Sequence, residues 1–491
     1  MSAAWPRLLP LLLGWPAVAW AQAVEEGEEE EAEQEDPPEG EEEQAGEGEQ
    51  TEEEAREADI FGAGSPAPAP AAAPAADLPG GAMRSDEAIA SRLREADRRL
   101  TIGGLAYLRA AVAISEEAEP SLVQVSSPSI LDLYADARPT DRLRMYARGR
   151  LSHDFTVQEG DVSAYGTELE PTRVALDQLW LNFDVGRRLY VTAGRQRIKW
   201  GVGRLWNPTD FLAPATYDAL TVFDERMGVG LLKLHLPVES TGTNLYAIAE
   251  LEGAQALDEI GGAARVEQIL GPGEVALSAA MRKDEPVQLG AQASFPLWLF
   301  DLKAEAALQR GVNMPGWEGS LDLETLTLPT EVDRSEEWVL QVLAGTELGL
   351  RYNDEDQLYL GVEYLYNDLG VDDPDLYPWM LLQGWFTPFY LGRHYLAGYL
   401  SLPGPGQADE HRFTLTGITN LSDETVIGRF DYAATVLTEL TVNAYAQVHG
   451  GPSGGEFAFA LDIPPIPTVL DAGLSIPRPV VDLGLGAQVR F

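Results

Sequence analysis

The segment Gly451-Pro452-Ser453-Gly454-Gly455 fits the G-x-S-x-G spacing of a nucleophile elbow, in which a serine is raised on a sharp strand-to-helix turn. A strand pattern precedes it at 438–449. The stretch after it, 457–479, is rich in proline and cannot supply the helix, so the segment reads as a glycine-rich loop. The five histidines, His153, His235, His394, His411 and His449, show no H-E-x-x-H or other close ligand spacing. There is no Walker A motif and no dinucleotide fingerprint. The chain has no cysteine, which removes thiol catalysis, disulfides and Cys-based zinc sites. Carboxylates dominate instead: 79 Asp and Glu against 34 Lys and Arg, a formal charge of −45. Such a chain repels polyanions, which argues against nucleic-acid binding. Asp368, Asp372, Asp373 and Asp375 offer the oxygen ligands that calcium takes, but without EF-hand spacing. The residues point to no enzyme, no cofactor and no resident metal.

The organisation begins with a targeting pattern. Residues 1–21 combine one basic residue, Arg7, an apolar run from Leu8 to Trp20 and an A-x-A site, the order of a secretory signal peptide. The run is shorter than the roughly 20 residues that span a bilayer as a helix, and no later apolar stretch reaches that length. Residues 22–59 form an acidic segment, with 20 acidic residues and one basic residue between Val24 and Asp59, expected to be a disordered spacer. Residues 60–98 form a Pro/Ala-rich linker and a short charged helix capped by Ser85.

From 99 to 491 the hydrophobicity alternates with period two. Val481, Leu483, Leu485, Ala487, Val489 and Phe491 oppose Asp482, Gly484, Gly486, Gln488 and Arg490. Leu340, Val342, Ala344, Thr346, Leu348 and Leu350 likewise oppose Gln341, Glu347 and Arg351. Runs of this kind suggest about 16 strands, within a range of about 14 to 18, many near 10 residues. A soluble sheet would bury the apolar faces. A transmembrane antiparallel β-barrel points them at lipid and the charged faces at a wet lumen. Strand length, strand number and the secretory leader favour the all-β membrane barrel.

The terminal strand ending in Phe491 resembles the C-terminal signal of Gram-negative outer-membrane barrels. The run Gly194-Arg195-Gln196-Arg197-Ile198-Lys199-Trp200-Gly201, followed by Asn207-Pro208-Thr209-Asp210-Phe211, is similar to a motif of porin-like barrels and, more loosely, of alginate-export porins. The resemblance implies location in the outer membrane, among its lipid and lipopolysaccharide. It also implies insertion by the barrel assembly machinery, which reads Phe491, and passive passage of small solutes. The remaining alternatives are a plugged or structural barrel whose loops bind a partner or polysaccharide, and a barrel hydrolase. Oligomeric state stays open.

Pore-lining candidates on the polar faces are Asp177, Asp184, Glu250, Glu252, Asp301, Glu305, Glu347, Glu363, Asp431 and Asp482, against Lys303, Arg351, Arg429 and Arg490. The acidic excess implies cation selectivity. Arg195, Arg197 and Lys199 stand on one face at a strand end, for the rim or, through a bulge, for the constriction. The loop after them, 202–226, mixes Trp206, Phe211, Tyr217 and Phe223 with Asp210 and other acids, a composition for packing against the inner wall, where it would narrow the pore, or for an outer-surface loop with scattered aromatics. The apolar segment 377–391 reads as a gate, a contact or a lipid-facing strand. Counting strands back from Phe491 puts loops 310–337, 368–391 and 450–479 at one end and 201–226 at the other. Long loops belong at one end, so a strand is missed or split, with Ile130–Arg138 as its place.

Overall fold

The structure, a computed structural model, describes residues 99–116, 123–161, 169–212, 220, 226–321, 327–353, 356–406, 408–463 and 473–491. The readings made for 1–98 lie outside these residues.

The alternating runs form one closed antiparallel barrel of 18 strands. In chain order these are β1 (Leu100–Ser115), β2 (Pro128–Thr140), β3 (Leu143–Asp154), β4 (Thr172–Val185), β5 (Leu189–Gln196), β6 (Val229–Val238), β7 (Thr243–Glu250), β8 (Gly261–Leu270) and β9 (Gly273–Met281). The second half runs β10 (Val287–Leu297), β11 (Phe300–Arg310), β12 (Trp338–Arg351), β13 (Gln357–Asn367), β14 (His394–Pro403), β15 (His411–Asn420), β16 (Thr425–Leu437), β17 (Leu440–Gly450) and β18 (Pro479–Arg490). A three-residue piece, Gln124–Ser126, extends the sheet beside β1. Each strand pairs with its chain neighbours, and β1 pairs with β18 from Leu105↔Arg490 onward, so no edge is left open.

The barrel is inside out. The large apolar residues of alternate positions face outward and are exposed, among them Leu108 at 58%, Leu277 at 65% and Leu485 at 66%. Polar residues of the opposite parity, including Asp132, Arg148, Gln292, Glu305 and Gln488, are buried within. A sheet with this polarity is stable only with hydrocarbon outside it.

The expected 16 strands become 18 because β2 and β8 went uncounted. β2 lies where a missing strand was expected. β8 is the strand that corrects the parity: with it, 197–228 joins 311–337, 368–393 and 451–478 at one end, and 141–142, 186–188, 271–272 and 298–299 are short turns at the other. The outward face of β8 starts with Gly262 and Ala264, too small to announce a strand by hydrophobic contrast.

Phe491 follows β18. It exchanges backbone hydrogen bonds with Gly104, N to O at 3.0 Å and O to N at 2.7 Å, across the closing seam. Its side chain is 63% exposed, beside outward Val489. Deleting Phe491 is expected to lower barrel insertion strongly. Normal membrane levels with normal heat-modifiable gel mobility would refute this.

Candidate functional site

The site is built on the third long loop, 197–228, whose first part, 197–212, turns into the barrel. β5 ends at Gln196, two residues past Gly194, where φ is +127° and a Cβ would come within 2.2 Å of the Leu179 carbonyl. The end of the strand separates the three expected cations, correcting their assignment to one face. Arg195 keeps the outward parity of Val191 and Ala193 and pairs at the rim with Glu252 at 2.9 Å. Arg197, past the strand end, turns inward onto Asp177 at 2.9 Å. Lys199 is exposed.

Inside, two glutamates of the far wall seat the loop. Glu305 of β11 accepts from the Val202 N–H at 2.5 Å, the Gly203 N–H at 2.8 Å, and the Thr209 N–H and hydroxyl at 3.2 and 2.8 Å. Glu363 of β13 accepts from the Arg204 N–H at 2.6 Å and the Leu205 N–H at 2.9 Å. Consecutive amides aimed at carboxylates satisfy backbone donors that would otherwise be buried alone. Gly203 is required there, since a Cβ would meet the Trp206 carbonyl at 2.0 Å. The Arg204 guanidinium lies 3.8 Å from the Tyr399 ring centroid, and the Tyr399 hydroxyl donates to Glu347.

Apolar contacts complete the seat. Trp206 is fully buried with Leu205 against Leu343, Leu365, Tyr395 and Ile418 of β12–β15, and its indole N–H donates to the Phe389 carbonyl at 3.2 Å. Trp200, Phe211 and Leu212 pack on Leu231, Ile248 and Ala280. The described part of the loop, 197–212, thus packs on the inner wall, one of the two expected placements, while Tyr217 and Phe223 lie outside the described residues. Asp210 takes the Trp200 N–H at 3.0 Å and pairs with Arg226 at 2.8 Å. Burial pushes its carboxyl up to about 6 even though Arg226 opposes the shift.

The other candidates fall as follows. Asp177 sits at a bulge in β4 opposite Arg148 and Gly149, which turns both it and Gln178 inward. Glu250 pairs with Arg282 at 2.5 Å, and Asp482 takes His449 at 2.8 Å and Gln447 at 2.9 Å. Arg429 pairs with Asp431 at 2.8 Å and lies over Tyr445. Asp301 and Lys303 share the inward parity of Glu305, and Arg490 that of Asp482. Two assignments to the wall are corrected: Glu252 belongs to the rim loop, and Arg351 is exposed at the short-turn end of β12. Asp184 also lies at that end, bridged to Arg142 at 2.6 Å.

Sequence alternation alone passed over a basic row on β3. Arg148 and Arg150 grip Asp132 at 3.0 Å each. The signal was present as Arg144, Tyr146, Arg148 and Arg150 at spacing two. The segment 377–391 is not a lipid-facing strand. It opens with helix α1 (Tyr377–Gln383) and buries Tyr377, Met380 and Phe386 against Phe459. Asp372 pairs with Arg393, and Asp373 caps the Asp375 N–H. Ser453 is followed by a single turn of 3-10 helix, Glu456–Ala458, rather than the α-helix of a nucleophile elbow.

A closed barrel with an apolar outer face, a polar lumen and its third loop folded inward is the porin-like architecture of outer membranes. Among solved structures, OccAB1 of Acinetobacter baumannii is similar with a TM-score of 0.51 at 8% identity, over 80% of this chain and 96% of that one. OpdK of Pseudomonas aeruginosa gives 0.48 at 10% identity, over 80% and 99%. The likeness to OccAB1 is of fold alone. No family profile and no curated protein matches the chain.

Proposed function

We propose that the chain is an outer-membrane channel for passive passage of small solutes, with loop 197–228 as its constriction. The seating of that loop on Glu305 and Glu363 carries the reading. A loop so tied narrows a lumen at a fixed place, which is what a size filter requires. β3 and β12 stand nine strands apart in a ring of 18, so the Arg148–Arg150 row faces the wall of Glu305, Glu347 and Glu363.

The selectivity we infer is for cations, from the chain's acidity and the carboxylates of the constriction wall. Reversal potentials in a potassium chloride gradient are expected to favour cations. The preference should fade as salt screens it over about 10 Å at 0.1 M and weaken when Glu347 and Glu363 are neutralised together. An anion preference abolished by neutralising Arg148, Arg150 and Arg197 would overturn this. A second reading, a plugged barrel, is favoured by the apolar cluster that loop residues Trp206, Phe389 and Phe457 build inside the wall. Near-zero single-channel conductance in a correctly folded barrel would select it.

A further inference from the structure

The tight turns at the short-turn end are mostly polar: 141–142 is Asp-Arg, 186–188 Gly-Arg-Arg and 438–439 Thr-Glu. The turn between β10 and β11 breaks this pattern. It is Trp298-Leu299, flanked by Leu297 and Phe300, and among the described residues no other turn at this end holds two large apolar residues. All four side chains are exposed, Trp298 by 86%.

Two independent features set this tip apart. The first is its backbone. A two-residue hairpin turn takes φ above zero at its first or at both positions, which glycine or asparagine ordinarily fills. Trp298 stands there with φ +62°. A bulky side chain held in the left-handed region costs the fold, and here the ring recovers little of that cost within the chain. Among the described residues its ring neighbour is Phe300, at 6.4 Å between centroids, and its indole N–H meets no acceptor. The second feature is continuity. Leu297 and Phe300 pair across the hairpin and keep the outward parity of Phe295 and Leu302. Phe300 pairs in turn with Leu348 of β12, which brings exposed Leu350 level with the tip. The lipid-facing surface of β10 and β11 therefore runs without a polar break onto the turn.

We propose that the tip 297–300 docks in the phospholipid interface at the short-turn end, with Trp298 as its anchor. An indole has an apolar body and a polar edge, which suits the level of the lipid carbonyls and headgroups. The costly turn is kept because it lays that ring against the membrane. The rim at β10–β12 then sits in the interface while 186–188 stands in water, so the membrane meets the short-turn end unevenly. The hairpin so anchored carries Gln292 and Glu305, both of which accept from the Thr209 hydroxyl of the inward loop.

The chain has no cysteine, so Leu299→Cys carries a single spin label beside an intact Trp298. In the full-length folded barrel in phosphatidylcholine vesicles, collisions of this label with oxygen, which concentrates in hydrocarbon, are expected to exceed those with a water-soluble nickel chelate. A label at Arg188→Cys should show the reverse, with an oxygen-to-nickel ratio several-fold lower. Trp298→Gly suits the backbone of the turn, so that variant should fold, and the ratio at 299 should fall several-fold toward that at 188. A 299 label as open to nickel as the 188 label, or a ratio that ignores Trp298→Gly, would overturn the proposal. So would a 299 label shielded from both agents in vesicles, which marks contact between copies, or shielded in native membranes alone, which marks a bound protein. The label tests the anchor without assuming a channel, and conductance tests the channel reading separately.

Discussion

Replacing Glu305 and Glu363 together by alanine is expected to release loop 197–228 from the far wall and to raise both single-channel conductance and its noise. Glu305 receives four donors and Glu363 two, all but one of them backbone amides of the loop. A hydrogen bond to a charged group contributes about 1.5–3 kcal/mol, and an amide left buried without a partner adds its desolvation cost. Each 1.4 kcal/mol is about tenfold in an equilibrium. Losing even part of this set turns the seated loop from the dominant state into a minor one. Glutamine at both positions keeps acceptor oxygens and should restore part of the wild-type behaviour, which separates the geometry of the seat from its charge. Unchanged conductance in a well-folded double alanine variant would mean that the seat does not set the pore.

Trp206→Ala should carry the largest cost of any single change at the site. The side chain is fully buried, its ring lies 5.6 Å from that of Tyr395, and its N–H binds the Phe389 carbonyl. Truncating a buried tryptophan costs about 3–5 kcal/mol. The strand ladder is untouched, so the barrel should keep its heat-modifiable mobility while protease begins to cut within 197–228. Trp206→Phe keeps part of the apolar body but loses one ring of the indole and the donor to the Phe389 carbonyl, for about 1–3 kcal/mol, less than alanine. Protease resistance equal to wild type in the alanine variant would show that the tryptophan does not hold the loop.

The barrel was legible in the sequence because lipid imposes period two over long strands, as the last strand displays from Val481 to Phe491. Two strands were not, each for a local reason. β2 carries Asp132 and Asp136 between prolines Pro128 and Pro139, and β8 puts Gly262 and Ala264 where larger residues would mark the lipid face. That the loop after β5 packs inside could be read from its aromatic residues, and so could the inward parity of Glu305, Glu347 and Glu363. Their engagement was not visible. Which carboxylate meets which amide depends on register around the barrel, and period two is blind to it. The end of β5 at Gln196 likewise hid from alternation, since alternation assumes that a strand continues.

The burial of Trp206 has a consequence for the order of events as the molecule forms. Its carbonyl partner lies 183 positions later in the chain, and Phe457, in the same cluster, arrives later still. The surfaces that enclose the indole belong to β12–β15, to the connection between β13 and β14 and to residues beyond β15, so the interior cannot condense from the N-terminal half alone. Contacts this distant in sequence form slowly, because the intervening chain must first be ordered. The lumen is therefore furnished last. A ring of strands can close around a loop that is still searching, and the permeability of the newly closed barrel should fall with time as that loop finds its two glutamates.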